Sequence, residues 1–420
     1  MSLRAGAAVR DISPTRPIQL SGYPHAIRIS TGIHDPLLAA ALYLENNGCA
    51  VLLGALDLLM LNRDVARHLR WRVAQRLGIP ETHVFISCTH THSAPVTADY
   101  RLFAGDPALS SPDSAYLKFC EDQMVAAAVA ARQSVRPAEL GWTTANAQGV
   151  GGNRHSPDGP TDPEVGVLAV RSDGEWLAVG MIYSMHPTVL HEDSTLVSAD
   201  FPAFARQCVP ASVVLYHTGP CGNQSPRYYV RGQTFTEAAR LGRKLGEAVA
   251  ARLSSIRYDA NPELAGDIRA VNLPPRVLPT LAEAERTLTE RRAEFERLKA
   301  TRAERALVRT AEVAVFGAEA MLRLVQSDIA AIRASVLPAE VQVLRIGDAC
   351  VVGWPGEVFV EYALELKRRA PRKTFVVAFV NGELQGYIVT PDATGYEASS
   401  SLFQPKAGTV LVETALEMLQ

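Results

Sequence analysis

A short apolar segment that leads directly into a cluster of hydroxyl and imidazole side chains constrains the fold of this chain most. Residues 84–86 are Val-Phe-Ile, and residues 87–95 continue as Ser-Cys-Thr-His-Thr-His-Ser-Ala-Pro. The first segment is typical of a buried β-strand, and the second of the polar strand end where an α/β fold places its site. In an extended chain residues two apart share a face, so His90 and His92 are predicted to face one pocket. Two neutral imidazoles suit a transition metal such as zinc, but an isolated pair is equally compatible with histidines that only hydrogen-bond the backbone.

Apolar runs with strand-like and helix-like spacing alternate along the rest of the chain. Residues 37–44 and 50–56 form a predicted pair of strands joined by a tight turn. Periodic apolar positions predict helices at 62–78, 113–131 and 236–253. We therefore expect an α/β fold in which a mixed central β-sheet is flanked by helices.

Residues 280–334 differ in composition from the segments around them. They are rich in Ala, Glu, Arg and Leu, contain no proline and have a single glycine, at position 317. Apolar residues recur there every three or four positions, which predicts a long helical hairpin that leaves the main domain. A solvated scaffold is the expected role of this excursion, and a cover for a pocket or a homodimer contact is the alternative.

The balance of charged and apolar residues limits the partners of the protein. Across 420 residues the formal net charge is −2, with both signs scattered, so nothing favours nucleic acid or an anionic membrane surface. No apolar run approaches the roughly 20 residues that span a bilayer. Six cysteines without C-x-x-C pairs favour free thiols, and hence the cytoplasm. If a leader has been removed, the protein is secreted or periplasmic instead.

Four more reactive side chains lie where predicted strands end or loops turn. His186 follows an apolar run and precedes Pro and Thr, so it resembles the first histidine pair in its setting. Ser225 lies in a strand–loop–helix connection, where a serine can be exposed to substrate. Arg154 lies in a glycine-rich loop and could bind a carboxylate, a phosphate or an oxyanion. Glu357 follows a Pro-Gly turn and is predicted to open a helix, so it is either a metal ligand or a residue favoured by the helix dipole.

Four residues are weaker candidates on pattern alone. His34 could line a pocket, but a surface or structural role is favoured. Asp57 ends a predicted strand and could orient a neighbouring histidine. Tyr387 and Tyr396 lie near polar loops, where buried tyrosines usually only satisfy a hydrogen bond.

Taken in order, these segments resemble the motifs of the neutral/alkaline (non-lysosomal) ceramidase family. The matching segments are Thr89-His90-Thr91-His92-Ser93, Asn153-Arg154-His155-Ser156-Pro157, His186-Pro187-Thr188, Gly222-Asn223-Gln224-Ser225-Pro226, Pro355-Gly356-Glu357 and Gly386-Tyr387-Ile388-Val389-Thr390 with Tyr396-Glu397. The resemblance spans most of the chain. It implies that residues 1–420 form a single α/β catalytic domain of a zinc hydrolase, with residues 280–334 as a helical excursion within it. The implied reaction is cleavage of the N-acyl amide bond of a sphingoid base.

The resemblance also implies a metal site and a set of residues for the chemistry. By position, the implied zinc ligands are His90, His186, Glu357 and Tyr387. The implied catalytic residues are Ser225 as nucleophile or positioning group, His92 as proton donor to the leaving amine, and Arg154 and Tyr396 as oxyanion stabilisers. Zinc would lower the pKa of a bound water from about 15.7 towards 7, which supplies hydroxide at neutral pH.

Three departures from the family pattern bear on the substrate. Asn223 stands where the family usually has Asp, the loop between Tyr387 and Tyr396 is shorter, and the sequence ends at Gln420 without the family's C-terminal β-sandwich domain. The expected partner is therefore a small-molecule or lipid N-acyl substrate, either ceramide or a smaller soluble amide. A zinc hydrolase of an ester, lactone, peptide or phosphoester, and a metal-binding protein without catalysis, are the alternatives.

Overall fold

The computed structural model describes residues 2–103, 106, 108 and 110–420, and it confirms the predicted α/β class. The strands are β1 Arg4–Asp11, β2 Gly32–Ile33, β3 Leu38–Asn46, β4 Cys49–Leu56, β5 Val84–Cys88, β6 Arg136–Pro137, β7 Glu139–Asn146, β8 Gly152–Asn153, β9 Glu164–Ser172, β10 Glu175–Tyr183, β11 Leu196–Val197, β12 Val213–Thr218, β13 Gln224–Ser225, β14 Leu264–Val271, β15 Ala339–Ile346, β16 Ala349–Gly353, β17 Glu357–Val358, β18 Lys373–Val377 and β19 Tyr387–Ile388. The helices are α1 Arg63–Leu77, α2 Ser114–Gln133, α3 Phe201–Gln207, α4 Phe235–Ala250, α5 Leu281–Ala300, α6 Arg305–Gln326, α7 Ile329–Val336, α8 Val360–Arg369, α9 Gly395–Ser399 and α10 Lys406–Met418.

The longer strands form three mixed sheets that meet along one line. The strand orders are β5-β4-β3-β1-β6, β12-β10-β9-β7 and β14-β15-β16-β18. Each sheet contains one parallel pair, namely β4 with β5, β10 with β12, and β16 with β18. The segment after β18 joins the sheets, because Phe379 O accepts from Cys88 N at 3.3 Å and Ala378 N donates to Thr218 O at 2.8 Å. The carboxyl ends of strands from all three sheets therefore converge, and this is where an α/β fold positions a site.

The predicted strand pair near the N terminus is the antiparallel pair β3 and β4. Their turn is built from Asn47 and Gly48, which have φ values of 49° and 79°. Two successive residues with positive φ are typical of the type I′ turn, whose twist matches that of a β-hairpin. Most residues of both strands are buried, because helix α2 covers this sheet; a Cβ at Gly6 on β1 would lie 2.0 Å from Ala131 O of that helix.

The helices predicted at 62–78, 113–131 and 236–253 are present as α1, α2 and α4, with small shifts of their ends. Helix α1 begins at Arg63 and ends at Leu77, and Gly78 follows in the left-handed conformation with φ 63°. Helix α2 begins after Asp113, whose carboxylate accepts from the backbone N–H groups of Ala115 and Tyr116. Such a cap stabilises a helix start by about 1 kcal/mol. In the described part of the chain, no helix combines the length and the apolar character needed to cross a bilayer.

The helical hairpin predicted from composition is confirmed as α5 and α6, and α7 follows it. The two long helices run antiparallel, with Leu288 of α5 packed in one apolar cluster with Val315 and Ala318 of α6. Arg292 and Glu319 form an ion pair between them at 2.7 Å. The hairpin is not fully solvated, however, because α6 also packs against α9.

Asp57 does not orient a histidine, so this prediction is wrong. It lies one residue beyond β4, where helix α3 brings Arg206 against it. Both Asp57 oxygens accept from the Arg206 guanidinium, at 3.0 and 2.7 Å, and Leu38 N donates to Oδ2 at 2.9 Å. Asp57 has no exposed surface. The pair therefore links a strand end to a helix as a buried, fully bonded charge pair.

Replacing Arg206 by Met should destabilise the fold strongly. Met retains much of the side-chain volume but leaves the Asp57 carboxylate buried without its counter-charge, which costs about 3–5 kcal/mol in comparable pairs. The free energy of unfolding in denaturant measures the effect. Arg297→Met is the matched control, because it breaks an exposed pair with Glu294 on α5 and should leave the unfolding free energy nearly unchanged. Equal losses in the two variants would contradict the structural role of the buried pair.

Candidate active site

His90 is held by backbone contacts just beyond β5, and it does not lie in an extended strand as predicted. Strand β5 ends at Cys88, after which His90 N donates to Leu58 O at 2.9 Å. His90 takes the left-handed conformation, with φ 63°. The extended-strand geometry assumed for His90 and His92 is therefore wrong, because hydrogen bonds to the segment after β4 turn the chain. Both side chains nevertheless border one cavity, as predicted. Their rings still lie near each other, with centroids 5.0 Å apart and planes almost perpendicular.

The two histidines predicted as metal ligands are each oriented by a hydrogen bond to a backbone carbonyl group. In each case the carbonyl belongs to the segment that follows a neighbouring strand. His90 Nδ1 donates to Leu59 O at 2.9 Å, and His186 Nδ1 donates to Cys221 O at 2.6 Å. A neutral imidazole that donates from Nδ1 carries a lone pair on Nε2. Burial lowers the pKa of His90 to about 3, so this ring is neutral. The two Nε2 atoms lie 3.2 Å apart.

The carboxylate of Glu357 completes this cluster. Its Oε2 lies 3.1 Å from His186 Nε2 and 3.8 Å from His90 Nε2. Burial raises the pKa of Glu357, but the contact with His186 and the nearby imidazole and Arg154 groups outweigh it and lower the pKa to about 2. Three potential ligand atoms, one of them an anionic oxygen, therefore lie within 3.8 Å of one another. The donor set therefore fits a metal ion, since imidazole nitrogen and carboxylate oxygen are common zinc ligands.

Glu357 reaches this position through a short strand, so the prediction that it opens a helix is wrong. Residues Glu357 and Val358 form β17, which pairs in parallel with Tyr387 and Ile388 of β19. Helix α8 begins only at Val360. The parallel pairing places Glu357 and Tyr387 on adjacent strands, which the sequence separation of thirty residues did not reveal.

His92 is the third imidazole of the cluster. Its ring centroid lies 5.6 Å from that of His186, and the ligand atoms of His90, His92 and His186 all lie within 4.8 Å of one another. Both ring nitrogens of His92 are buried, and neither has a hydrogen-bond partner within the described residues. Burial, followed by the neighbouring imidazoles, lowers the pKa of His92. A buried imidazole with both nitrogens unpaired suits a group that binds a metal ion or exchanges a proton with a bound molecule.

Five of the predicted site residues border one cavity of about 70 Å³. They are His90, His92, Glu357, Tyr387 and Tyr396. The Tyr387 and Tyr396 rings meet edge to face with centroids 6.0 Å apart. Burial raises the pKa of both phenols, so both hydroxyl groups are favoured in the protonated form. The cavity wall also includes Tyr100 and the buried polar residues Glu383 and Gln385, which the sequence did not indicate.

Arg154 lies beside this cavity, but its charge is already paired. Its Nε lies 2.8 Å from Glu397 Oε1, and its Nη2 donates to Gly222 O. The guanidinium carbon lies 5.3 Å from the centroid of the Tyr387 ring. Burial raises the pKa of Glu397, but Arg154 and His155 outweigh it and lower the pKa to about 2. Glu397 is therefore a structural partner of the site that sequence reasoning did not assign, although it directly follows Tyr396 in the last motif.

Ser225 lies near the His186 loop but does not border the cavity. It belongs to β13, which pairs with β8, and it lies opposite Gly152. Its Oγ accepts from Arg227 N at 3.2 Å. The preceding residue, Gln224, contacts His186 through its carbonyl group, which accepts from Nδ1 at 3.0 Å. The structure thus connects Ser225 to the cluster through the backbone of its neighbour.

Asn223, which stands where the family pattern usually has Asp, is hydrogen-bonded to the carboxylate of Glu361. Its Nδ2 donates to both oxygens of Glu361, at 2.7 and 3.0 Å, and its Oδ1 accepts from Val360 N. The Asn223 side chain therefore links the loop that carries Ser225 to the first turn of α8. A negative charge is present next to this position, and Glu361 supplies it.

Two residues near the N terminus have roles that their sequence context did not indicate. Arg28 is buried, and its Nη2 donates to Ser21 O and to His92 O, so it holds the backbone of the histidine loop. Its guanidinium carbon lies 4.8 Å from the Tyr23 ring centroid. His34 does not line the cavity and instead stacks on Phe235, with centroids 3.7 Å apart.

These features define an α/β protein with a buried cluster of three imidazoles that could hold a metal ion. No family model matches the sequence, and no curated protein matches it either. Solved structures do match: the neutral ceramidase from Pseudomonas aeruginosa has a TM-score of 0.77 and 19% identity, over 100% of this chain and 74% of that chain. A second structure, described as "Ceramidase complexed with C2", has a TM-score of 0.75 and 16% identity, over 100% and 75%. The resemblance predicted from the motifs is thereby confirmed for the fold, and at these identities the likeness establishes the fold alone.

Metal analysis of histidine variants tests which imidazoles are ligands. We expect His90→Ala and His186→Ala to weaken zinc affinity by more than the roughly 10–100-fold lost when a group that only orients a ligand is removed. Competition with a chromogenic chelator measures that affinity. His68→Ala, an exposed histidine on α1, is the control and should bind zinc like the wild type. His92→Ala distinguishes its two roles: wild-type affinity indicates a proton carrier, and a loss like that of His90→Ala indicates a ligand.

The raised pKa of Asp200 predicts that the free energy of unfolding depends on pH. Asp200 caps α3 and accepts from Leu190 N and Phe201 N at 2.9 and 2.5 Å, and burial raises its pKa from 3.8 to about 7. Between these pH values the unfolded chain has lost the proton and the folded chain retains it, so stability falls as the pH rises. Asp200→Asn removes this contribution, so its unfolding free energy relative to wild type should increase over that range. A difference that stays constant with pH would contradict the assignment.

Proposed function

We propose that the protein is a zinc-dependent amidohydrolase that cleaves the N-acyl amide bond of a small-molecule or lipid substrate. The observation that supports this most is the convergence of the Nε2 atoms of His90 and His186 with the ionised Glu357 carboxylate. A ligand set of two histidines and one carboxylate is found in catalytic zinc sites. Residues 1–420 would form the catalytic domain, with residues 280–334 as a helical excursion within it.

Tyr387 is the proposed fourth ligand, since β19 places it next to Glu357 on the cavity wall. Arg154 contacts the Tyr387 ring and favours its ionised form, whereas burial opposes it. A cation beside the phenol would shift that balance towards the phenolate. When bound, zinc supplies a Lewis acid for the amide carbonyl and lowers the pKa of a bound water to about 7.

The remaining residues have proposed roles in proton transfer and charge stabilisation. His92 is neutral because burial lowers its pKa, so it can take a proton from the attacking group and pass it to the leaving amine. Tyr396 retains its proton and can donate to the amide oxygen as negative charge develops there. Arg154 adds positive potential on the same side, with Glu397 fixing its orientation.

Ser225 remains a proposal as nucleophile or positioning group. Its Oγ accepts from Arg227 N, which leaves its own hydroxyl hydrogen free to donate to a substrate atom. Because it does not border the cavity in this structure, positioning is the role that its contacts favour.

The two matched structures are both ceramidases, which favours an amide as the bond that is cleaved. The metal-loaded protein should therefore hydrolyse N-acyl amides faster than matched ester, peptide or phosphoester substrates, and a chelator should abolish the activity until zinc is restored. His92→Ala should lower kcat by about 10²–10⁴-fold, the usual contribution of a general acid–base group. His68→Ala should leave kcat unchanged. Turnover that survives complete metal removal, or a preference for phosphoesters, would show the proposal to be wrong.

A further inference from the structure

Two segments that are far apart in the sequence meet on one wall of the cavity. Tyr100 belongs to segment 96–103, and Gln385 belongs to segment 381–386, which leads directly to Tyr387. Both Tyr100 and Gln385 border the cavity. The chemistry proposed above uses neither of them, although they form the wall next to a proposed metal ligand.

The side chain of Gln385 joins the two segments. Its Oε1 accepts from Arg101 N at 2.7 Å, and its Nε2 donates to Asp99 O at 2.6 Å. Asp99 and Arg101 are the two neighbours of Tyr100 in the chain. One planar amide therefore bonds the backbone on both sides of Tyr100, as a neighbouring strand would, and fixes the position of that residue.

The same amide is tied to the start of helix α1. Gln385 Nε2 also donates to Glu383 Oε1 at 2.9 Å, and Asn62 Nδ2 donates to that oxygen at 3.0 Å. Asn62 directly precedes α1, and its Oδ1 accepts from Asp99 N at 2.8 Å. These hydrogen bonds form a closed ring that contains both segments. A buried polar network of this kind makes the backbone around it rigid.

The backbone at Gln385 is held in an unfavourable conformation. Gln385 has φ 52° and Gly386 has φ 136°, and a Cβ at Gly386 would lie 1.9 Å from Ser400 O. A left-handed conformation of a residue with a side chain persists only where surrounding contacts hold it, and such residues cluster at functional sites. The hydrogen bonds of the buried Gln385 amide supply those contacts, two residues before Tyr387.

Tyr100 presents a hydrogen-bond donor at the cavity wall. Its ring packs against two apolar clusters, one built on α1 and α2 and the other on α8 and α10. Burial, and then the nearby carboxylates of Glu357 and Glu383, raise the pKa of Tyr100, so the phenol retains its proton. The same carboxylates repel an anionic group, so a neutral oxygen atom is the acceptor that suits this donor.

We propose that Tyr100 is a further substrate-contacting residue, whose hydroxyl group donates to a neutral oxygen of the bound amide, and that Gln385 is the residue that positions it. The site then favours N-acyl amides that carry a second neutral oxygen besides the scissile carbonyl. The word substrate rests on the proposed amidohydrolase function, whereas the positioning role rests on the hydrogen bonds of Gln385.

The test uses pairs of amides that differ only in one oxygen atom. The reference is the butanoyl amide of butylamine; the methoxyacetyl amide of butylamine and the butanoyl amide of 2-methoxyethylamine each replace one methylene group by an ether oxygen. The ratio of kcat/KM between ether and reference is measured in the zinc-loaded wild type and in Tyr100→Phe. For at least one ether, Tyr100→Phe should lower this ratio at least about threefold, the effect of one hydrogen bond. Comparing the two proteins cancels the effect of the ether on intrinsic reactivity.

Variants of Gln385 test the positioning role. Gln385→Met retains the volume and removes the hydrogen bonds, so it should lower the same ratio as Tyr100→Phe does. In the double variant the ratio should fall no further, because both changes act through one contact. Gln385→Asn is the second variant: asparagine tolerates the left-handed backbone, but its shorter side chain does not span Asp99 O and Arg101 N.

Gln404→Met is the matched control. Gln404 Nε2 also donates to a backbone carbonyl, Pro275 O, at 3.0 Å, and Gln404 does not border the cavity. This variant should keep the wild-type ratio, and unfolding curves and zinc content show whether each protein is folded. Ratios that are the same in wild type and Tyr100→Phe for both ethers would overturn the assignment of Tyr100. A wild-type ratio in folded Gln385→Met or Gln385→Asn, or additive losses in the double variant, would overturn the role of Gln385.

Binding separates this proposal from the amidohydrolase assignment. If the zinc-loaded protein hydrolyses none of the amides, the proposed function is wrong, and the same amides then serve as ligands whose dissociation constants are measured by calorimetry. Wild type should bind one of the ethers at least about threefold more tightly than the reference, and Tyr100→Phe should bind the two equally. Equal affinities in wild type, or no binding of any of the amides, would overturn the role of Tyr100 as well.

Discussion

The candidate site depends on the close approach of two imidazole nitrogens and one carboxylate oxygen. His90 Nε2 and His186 Nε2 lie 3.2 Å apart, and an ionised carboxylate of Glu357 lies against them. In a largely buried site such an arrangement needs compensating positive charge or hydrogen-bond donors. The fold nevertheless maintains it, because each ring is fixed by a backbone carbonyl and cannot rotate away without losing that hydrogen bond.

The parallel strand pairs of the three longer sheets explain how this cluster is assembled. His90 follows β5, and its carbonyl partner Leu59 follows the adjacent strand β4. His186 follows β10, and its partner Cys221 follows the adjacent strand β12. Glu357 follows β16, and Phe379, which stacks on the His90 ring at 3.9 Å, follows the adjacent strand β18. Each of the three longer sheets thus contributes one polar side chain and one residue that supports a histidine of the cluster.

The charged side chains around the cluster carry an excess of negative charge. The carboxylates of the half-buried Glu357 and the buried Glu397 lie near the guanidinium of Arg154, which forms an ion pair with Glu397. A divalent cation among the imidazoles would add the positive charge that Glu357 lacks. Because Arg154 is committed to Glu397, its main effect on a bound substrate is through its potential and through the placement of Tyr387, and less through a new hydrogen bond.

Much of the fold was predictable because it follows from local patterns. Apolar periodicity predicted the β3–β4 pair, helix α1 and the α5–α6 hairpin, since alternation and three- to four-residue spacing depend only on neighbouring residues. Residue type and the setting after an apolar strand also indicated His90 and His186 as candidates. The interpretation of His90 and His92 as residues of one extended strand was wrong, because hydrogen bonds to the segment after β4 impose a left-handed turn at His90.

The sequence by itself determined which elements form and which side chains are capable of metal chemistry, because both depend on composition and short-range spacing. Only the tertiary structure decided which of those side chains meet. It placed Asp57 against Arg206 and away from the histidines, brought Glu357 beside Tyr387 through β17 and β19, and left Ser225 outside the cavity wall. These outcomes depend on contacts between residues far apart in the chain, and the packing of the three sheets, which no local pattern encodes, determines them.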